Sequence, residues 1–484
     1  MRAALYSTVA IVVAFSPMQA RAADVSEAGA KQIFDKLTYY LPKDIVDSGF
    51  LKVTPSTQRY EVSVDIAPFL KNLKPTEFAI NGLRPFVQFL TPQDDGTWKV
   101  EANDSLNVSG FFTAEGKKSN FTYSIGKYSY ESLFDPSLSF FRTSKADVEN
   151  LKFASDNGPG NVQVGIDSYA GESHTDNANN GVADLTATLS AKGFSEIISD
   201  PNSGPISITA EGLDGNVKAD KIGFAPMRDL IVFALDKFKA NSKTLTADES
   251  TKLKALLKAN VPFTDNLVED IKFHNINVSA QNMQMKLADV GYKVDFNGIK
   301  PDTRVGFEFS AAEPTVPAGL LPPGTEGAVP KSVSFGVAIT GLNVEGVVSY
   351  ALEHADFTKD DPLTAADSAA IDKIILPDGN MHIEFTNVFA KSDVYDVSLT
   401  GTMLVNPNDS DKPEADVTIK ARDLDKTVNY LQANAAKVPQ YGQASFGLLM
   451  MKGFGKQESD GSMTWNVKVD KAGKVTINGR EMPH

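Results

Sequence analysis

The stretch Tyr60-Glu61-Val62-Ser63-Val64-Asp65-Ile66 decides the fold class of this chain, because an apolar side chain stands at every second position. A period of two places one face of a β-strand on a core and leaves the other face in water. The same alternation recurs at 98–102, 106–113, 120–125, 162–169, 182–189, 271–278, 283–287, 292–296, 304–309, 333–339, 381–385, 395–405, 415–421, 463–469 and 474–477. Many short runs, often joined by Asp, Asn and Gly turns, are typical of antiparallel meanders. We therefore expect a mainly β (α+β) protein, with large curved antiparallel sheets of amphipathic strands and a few helices packed on them.

Helices are signalled at fewer places. Three residue pairs have the spacing of a capping box ahead of an apolar stripe: Asp24 with Glu27, Thr246 with Glu249, and Thr364 with Asp367. Together with Pro226, which is tolerated in a first helical turn, these signals predict helices near 26–41 and 226–260 and a short one after 364. Apolar stripes predict two more, near 424–431 and 446–451.

Two segments break the strand pattern. Residues 311–331 are rich in proline and glycine, so they are predicted to connect two lobes, 23–310 and 332–484. Residues 171–181, with the sequence GESHTDNANNG, are polar and are predicted to form a mobile loop between strands.

Residues 1–22 have the pattern of a cleaved secretory signal. A basic start precedes a short apolar run, and Ala20-Arg21-Ala22 fits a cleavage site before Ala23. The apolar run is shorter than the ~20 residues that span a bilayer, and the rest of the chain has no run of that length. We expect an exported protein without a stable membrane span after cleavage.

Composition excludes several classes of function. The 484 residues contain no cysteine and only five histidines, which removes thiol chemistry and cysteine-based metal sites. The formal net charge is −14, and it falls to −16 without the two arginines of the signal. Nucleic acid is therefore not an expected partner, and anionic lipid headgroups are disfavoured unless one local patch is basic.

Catalytic and metal-binding motifs are scarce. His174 follows Gly171-Glu172-Ser173, but Thr175 stands where a nucleophile elbow needs its second glycine. The Asp/Asn clusters at 176–181 and 406–411 do not fit a calcium loop, and solvated turns are the favoured interpretation. We predict no cofactor, no metal site and no enzymatic activity.

The first mature residues and the C-terminal hairpin carry a resemblance. Ala23-Asp24-Val25-Ser26, Ala30-Lys31-Gln32-Ile33-Phe34-Asp35-Lys36-Leu37 and Met463-Thr464-Trp465-Asn466-Val467-Lys468-Val469 resemble uncharacterised periplasmic families of alphaproteobacteria, which are distantly similar to AsmA-type proteins. The resemblance implies a periplasmic protein of cell-envelope maintenance. AsmA proteins keep an N-terminal anchor that this chain is predicted to lose, so a role that bridges two membranes is in doubt.

Three functions stay open from the sequence. The leading one is a non-enzymatic protein that binds a lipid or another hydrophobic ligand on a curved sheet, through apolar strand faces at Phe307, Phe309, Val333, Phe335, Ile383 and Phe385. A closed core formed by the same faces would instead indicate a scaffold with an envelope protein partner and no ligand groove. The third is a polysaccharide hydrolase, which requires two carboxyl groups converging in a cleft.

Overall fold

The computed structural model describes residues 25–482 except 71–72, 115, 157–159, 201–203, 241–243, 282, 318 and 410–411. The protein is mostly β, with 51% of residues in strands and 23% in helices. This confirms the predicted fold class. The predicted signal, residues 1–22, and Asp24 of the first capping box lie outside the described residues. Within the described part, no helix has both the length and the apolar character needed to span a bilayer.

The chain divides into two compact units. The first unit comprises the residues up to Asn266 together with Leu352–Leu363, and the second comprises Leu267–Ala351 and Thr364–His484.

The first unit is built on an antiparallel sheet in which β1, β2, β4 and β5 pair in that order and β3 pairs with the far end of β5. From β5 to β10 each strand pairs with the next along the chain. The strands are β1 Leu51–Pro55, β2 Tyr60–Val64, β3 Phe78–Asn81, β4 Phe86–Pro92, β5 Trp98–Ala114, β6 Lys117–Asp135, β7 Phe140–Asp156, β8 Asn161–Asn179, β9 Val182–Asp200 and β10 Gly204–Gly223. The helices are α1 Glu27–Thr38, α2 Lys43–Asp47, α3 Ala67–Leu70, α4 Phe224–Lys239 and α5 Ala247–Ala259.

One end of this sheet carries the core of the first unit. Ala30 and Ile33 of α1 pack in a buried cluster that contains Trp98, Val100 and Phe134. The hydroxyl of Ser26 accepts a hydrogen bond from the amide of Gly29 and caps α1. The predicted capping box of α5 is confirmed, because the side chains of Thr246 and Glu249 each accept a hydrogen bond from the other residue's amide.

The strands of the first unit are much longer than the alternating runs in the sequence. The runs at 98–102 and 106–113 belong to one strand, β5, whose register shifts between Asp104 and Leu106. In β7 and β9 the apolar alternation changes phase by one residue next to Asn150 and Gly193, whose φ values are +53° and +67°. A residue in this conformation interrupts the regular pleat while the strand continues. The sequence pattern therefore predicts the end of a strand at each phase change, although the hydrogen bonds to the neighbouring strands continue past it.

The polar segment 171–181 differs from its prediction as a mobile loop. Its first nine residues belong to β8, where His174 lies opposite Thr143 on one side and Thr186 on the other. Because both neighbouring strands satisfy its main-chain groups, this segment needs no apolar alternation to form a strand.

The second unit is a further antiparallel sheet in which β11 to β17 pair in chain order, followed by β19, β20 and β21, with β18 beside β19. The strands are β11 Asn266–Ala280, β12 Met283–Phe296, β13 Thr303–Ala312, β14 Ser332–Leu342, β15 Met381–Lys391, β16 Asp396–Val405, β17 Glu414–Arg422, β18 Lys456–Gln457, β19 Met463–Val469, β20 Val475–Ile477 and β21 Arg480–Glu481. The helices are α6 Val344–His354, whose last three residues belong to the first unit, α7 Ala365–Ile375, α8 Leu424–Asn434 and α9 Gln440–Phe454. The predicted capping box of Thr364 and Asp367 is confirmed at the start of α7.

The proline- and glycine-rich segment 311–331 differs from its prediction as a boundary between lobes. It connects β13 to β14, which pair with each other, so both sides of the segment belong to the second unit. Its Thr315 forms an isolated bridge with Lys286. Proline prevents a regular strand there, and the segment connects two neighbouring strands through turns and a short 3-10 helix at Glu326–Ala328.

Candidate ligand-binding face

The six predicted ligand-binding residues lie on three adjacent strands and share one face of the sheet in the second unit. Phe309 is the direct cross-strand partner of Phe335, and Phe307 reaches Phe385 through Val337. The other two join the same face because Ile383 is opposite Ile339, and Val333 is opposite Ala311. Direct partners in an antiparallel pair project to the same side of the sheet. The sequence pattern thus brings together residues that are up to 78 positions apart.

The central residues of this face are strongly exposed. Phe307 and Phe309 are 46% and 42% exposed, and Phe335 is 52% exposed. Val333, Ile383 and Phe385 are half-buried. Large apolar side chains on neighbouring strands normally lie in a core. Because these side chains are exposed instead, they form an uncovered apolar surface.

Sequence reasoning missed Val305, which belongs to the same row. Val305 is 41% exposed and pairs with Ile339, which in turn pairs with Ile383. The signal was available, because Val305 continues the alternation of Phe307 and Phe309 by one more step. We call Val305, Phe307, Phe309 and Phe335 the aromatic row.

The opposite face of the same strands is polar and satisfies its own side chains. The carboxylate of Glu308 accepts hydrogen bonds from the hydroxyl of Ser334 at 3.1 Å and from the amide of Asn387 at 2.5 Å. Arg304 forms an ion pair with Asp295 and approaches Glu384 at 3.6 Å. Polar groups on this face are thus paired within the sheet, whereas the apolar face leaves its central side chains in solvent.

Helices cover the same apolar face at the other end of the sheet. Trp465 and Ile477 lie there in a buried cluster with Leu424 of α8, and Leu448 and Met451 of α9 pack against the cluster. The register places Trp465 in line with Phe335 through Ile419, Leu399 and Val388. The apolar face is therefore a closed core beside β19 and an open surface at β13 and β14.

A shallow cleft of about 280 Å³ lies on the polar side of β15 to β17. Its charged lining residues are Lys391, Asp396, Lys420 and Arg422. The carboxylate of Asp396 lies 3.7 Å from Lys391 and 3.4 Å from Arg422, and Lys420 pairs with Asp460 at 2.9 Å. Because each cation already has a carboxylate beside it, the cleft offers little net charge to an anion.

The shifted pKa values of ionisable groups are explained by burial or by neighbouring side chains in the fold. Burial raises the pKa of Tyr128 to about 12, and the hydroxyl of Thr358, followed by Lys359, lowers the pKa of Asp356 to about 2. In the Asp/Asn cluster at 176–181, Asp176 pairs with His174 and Asn177 donates to Asp184. No group of three or more His, Asp or Glu side chains in the described part of the chain is arranged to hold a metal ion.

Comparison with known proteins found no matching family model, curated protein or solved structure. The resemblance to AsmA-type proteins therefore stays a prediction.

Proposed function

We propose that the protein is an exported, non-enzymatic component of the cell envelope that binds a lipid or another hydrophobic ligand along the aromatic row. The observation that carries the proposal is the 41–52% exposure of Val305, Phe307, Phe309 and Phe335 on two paired strands. The signal pattern of residues 1–22 supports export.

The energetics of the aromatic row favour a ligand that exchanges. Full burial of a large apolar side chain stabilises by about 1.5–3 kcal/mol, so covering the exposed half of one gives roughly 1 kcal/mol. Four such side chains give about 4 kcal/mol, and the entropy cost of immobilising a ligand offsets part of this gain before further contacts along an acyl chain add to it. Such a ligand is held loosely enough to be passed on, as expected for a carrier.

The chemistry of the row fits an acyl chain better than a polar ligand. Its side chains are aliphatic and aromatic, and the nearest carboxylate in β13, Glu308, points to the opposite face and is already paired. A protein partner with an apolar surface is the second candidate, because the row is open along the strands. That candidate corresponds to a scaffold function.

The proposal is tested by binding of a fluorescent long-chain fatty acid to the purified full chain, together with mass spectrometry of lipids that co-purify without detergent. The test variant is the double substitution Phe307→Gln and Phe335→Gln. Its matched control is Ile198→Gln and Ile206→Gln, a cross-strand pair of the first unit that is 39% and 37% exposed.

We expect the native chain and the control to bind the probe and the Phe307/Phe335 variant to bind it at least ~10-fold more weakly. If the Phe307/Phe335 variant and the control variant bound the probe equally well, the aromatic row would not be the binding site. Absence of both probe binding and co-purified lipid would reject lipid binding and leave the scaffold function, to be examined by crosslinking to envelope proteins.

A further inference from the structure

Helix α9 has a second apolar stripe that faces away from its own core. Leu448 and Met451 pack against the buried cluster around Trp465. On the other side, Phe446, Leu449 and Met450 are 65%, 45% and 56% exposed. A helix that is apolar on all sides is normally buried on all sides, so the stripe of Phe446, Leu449 and Met450 requires an explanation. We call these three residues the α9 stripe.

The charge around the α9 stripe is opposite to that of the whole chain. Residues 426–457 contain four lysines and no Asp or Glu, and this is the longest stretch without an acidic residue in the sequence. Lys437 is exposed just before α9, and Lys456 is 69% exposed just after it. Asp425 pairs with Lys452 and Glu458 with Lys456 at the surface, so residues 425–458 keep a net charge of +2, whereas the whole chain carries −14.

We propose that α9 docks the protein on the surface of an anionic lipid bilayer, with the α9 stripe inserted among the headgroups and the flanking lysines against lipid phosphates. Amphipathic segments that lie in the interface combine an apolar face with basic residues at its edge. Because residues 425–458 carry a net charge of +2, this segment avoids the repulsion that the rest of the acidic chain would meet at an anionic surface.

A second copy of the chain fits the stripe less well than a lipid surface. A helix of 15 residues is about 22 Å long and about 10 Å wide, so one face offers roughly 220 Å². A stable protein interface buries about 800 Å² on each partner. A bilayer needs no complementary pocket, and its affinity grows with the apolar area inserted and with the local positive charge.

The proposal is independent of the aromatic row, because α9 could hold the protein at a membrane whether or not the sheet binds a ligand. If both hold, docking would bring the protein to its lipid source. The test must therefore measure docking on intact vesicles separately from the binding of free fatty acid.

The absence of cysteine allows a direct test on the full chain. Leu449→Cys would create a single labelling site for an environment-sensitive nitrobenzoxadiazole dye, and Phe238→Cys on α4, where Phe238 is 80% exposed, provides the control site. Each labelled protein is titrated with vesicles of phosphatidylcholine alone and with vesicles that contain about one third phosphatidylglycerol. We expect the dye at position 449 to show a blue shift and an intensity gain with the anionic vesicles only. This response should weaken at ~0.5 M salt, because salt screens the attraction between the lysines and the lipid phosphates. The dye at position 238 should not respond to either kind of vesicle.

Co-sedimentation with the same vesicles tests the side chains themselves. The double substitution Phe446→Gln and Met450→Gln should lower the partition coefficient at least ~10-fold, whereas Phe238→Gln should leave it unchanged. Both altered side chains are exposed, and far-UV circular dichroism with Trp465 fluorescence verifies that the fold is kept. The Phe307/Phe335 variant should still dock, which separates failure of this proposal from failure of the proposed function.

Three outcomes would overturn membrane docking. They are no association of the native chain with anionic vesicles, equal association of the Phe446/Met450 variant, and a concentration-dependent dye response at position 449 without vesicles. The last of these would assign the α9 stripe to self-association.

Discussion

The indole Nε1 of Trp465 donates a hydrogen bond of 2.7 Å to the main-chain oxygen of Met451. This bond joins β19 to α9 in the second unit, where Trp465 itself is only 4% exposed. The same helix can therefore hold its inner side on the sheet while its outer stripe stays in solvent.

Trp465→Phe should lower the stability of the second unit by about 1–3 kcal/mol, because it leaves a half-buried carbonyl without its donor and creates a small cavity. The chain has two tryptophans, and the other, Trp98, lies in the core of the first unit. Urea unfolding of the variant followed by circular dichroism reports the loss, while Trp98 fluorescence follows the first unit, whose transition should not move. An unchanged circular dichroism transition would show that the bond contributes nothing.

Asp135 is expected to make the stability of the first unit depend on pH. It is 4% exposed and accepts hydrogen bonds from the amide of Ser137 at 2.8 Å and from Arg142 at 2.7 Å. Burial alone would raise the pKa of Asp135, but the hydrogen bonds from Ser137 and Arg142 outweigh it and the pKa is lowered. The stabilisation is therefore complete above the unfolded pKa of about 3.9 and is lost as pH falls through the folded value.

Asp135→Asn keeps the shape and removes the charge, so it should cost about 1–3 kcal/mol at neutral pH. Urea unfolding monitored by far-UV circular dichroism should show this difference at pH 7, and the variant and the native chain should converge as the medium becomes strongly acidic. Asp94→Asn, at an exposed position, serves as the control and should change little. A difference that stays constant with pH would contradict the charge-based explanation.

Two glycines of the second unit should respond to alanine with opposite signs. Gly401 has φ +132°, and a Cβ there would lie 2.3 Å from the main-chain oxygen of Asp416 on the neighbouring strand. Gly401→Ala should therefore destabilise by more than ~2 kcal/mol, because backbone atoms cannot yield as a side chain can. Gly447 of α9 has nothing within 4 Å of a Cβ, and Gly447→Ala should stabilise by about 0.5–1 kcal/mol. Thermal unfolding of both variants would check the two signs, and a stable Gly401 variant would mean that β16 and β17 can separate locally.

Much of the local structure followed from the sequence because it depends on neighbours along the chain. The capping boxes at Thr246 and Thr364 and the alternation of Phe307 and Phe309 are of this kind. The exposure of the aromatic row was not predictable, because alternation assigns a residue to a face but does not say what covers that face. The same pattern in β19 places Trp465 in a core, since α8 and α9 happen to pack there.

Strand lengths were underestimated for a physical reason that the two units share. The runs at 283–287 and 292–296 form one strand, β12, and Leu287 and Val290 mark a change of phase between them. Opposite this change, in β11, stands Asn275 with φ +50°, just as Asn150 with φ +53° accompanies the phase change in β7. Periodicity predicts the end of a strand wherever the apolar alternation breaks. In the sheet, one irregular residue causes that break, and the hydrogen bonds between the strands continue on both sides of it.

The two asparagines allow this explanation to be tested by the sign of a stability change. Valine has a higher β-propensity than asparagine, so a regular strand at these positions would be stabilised by Asn150→Val or Asn275→Val. If the residue has a left-handed conformation, valine should instead destabilise the protein, because a β-branched side chain is strongly disfavoured at positive φ. We expect each valine substitution to lower the free energy of unfolding by about 1–3 kcal/mol.

Asn150→Gly and Asn275→Gly are the controls. They should stay within ~1 kcal/mol of the native chain, since glycine adopts the same φ freely. Urea unfolding followed by far-UV circular dichroism gives the sign directly. Valine variants at least as stable as the native chain would mean that these strands run regularly through both positions and that the phase changes have another cause.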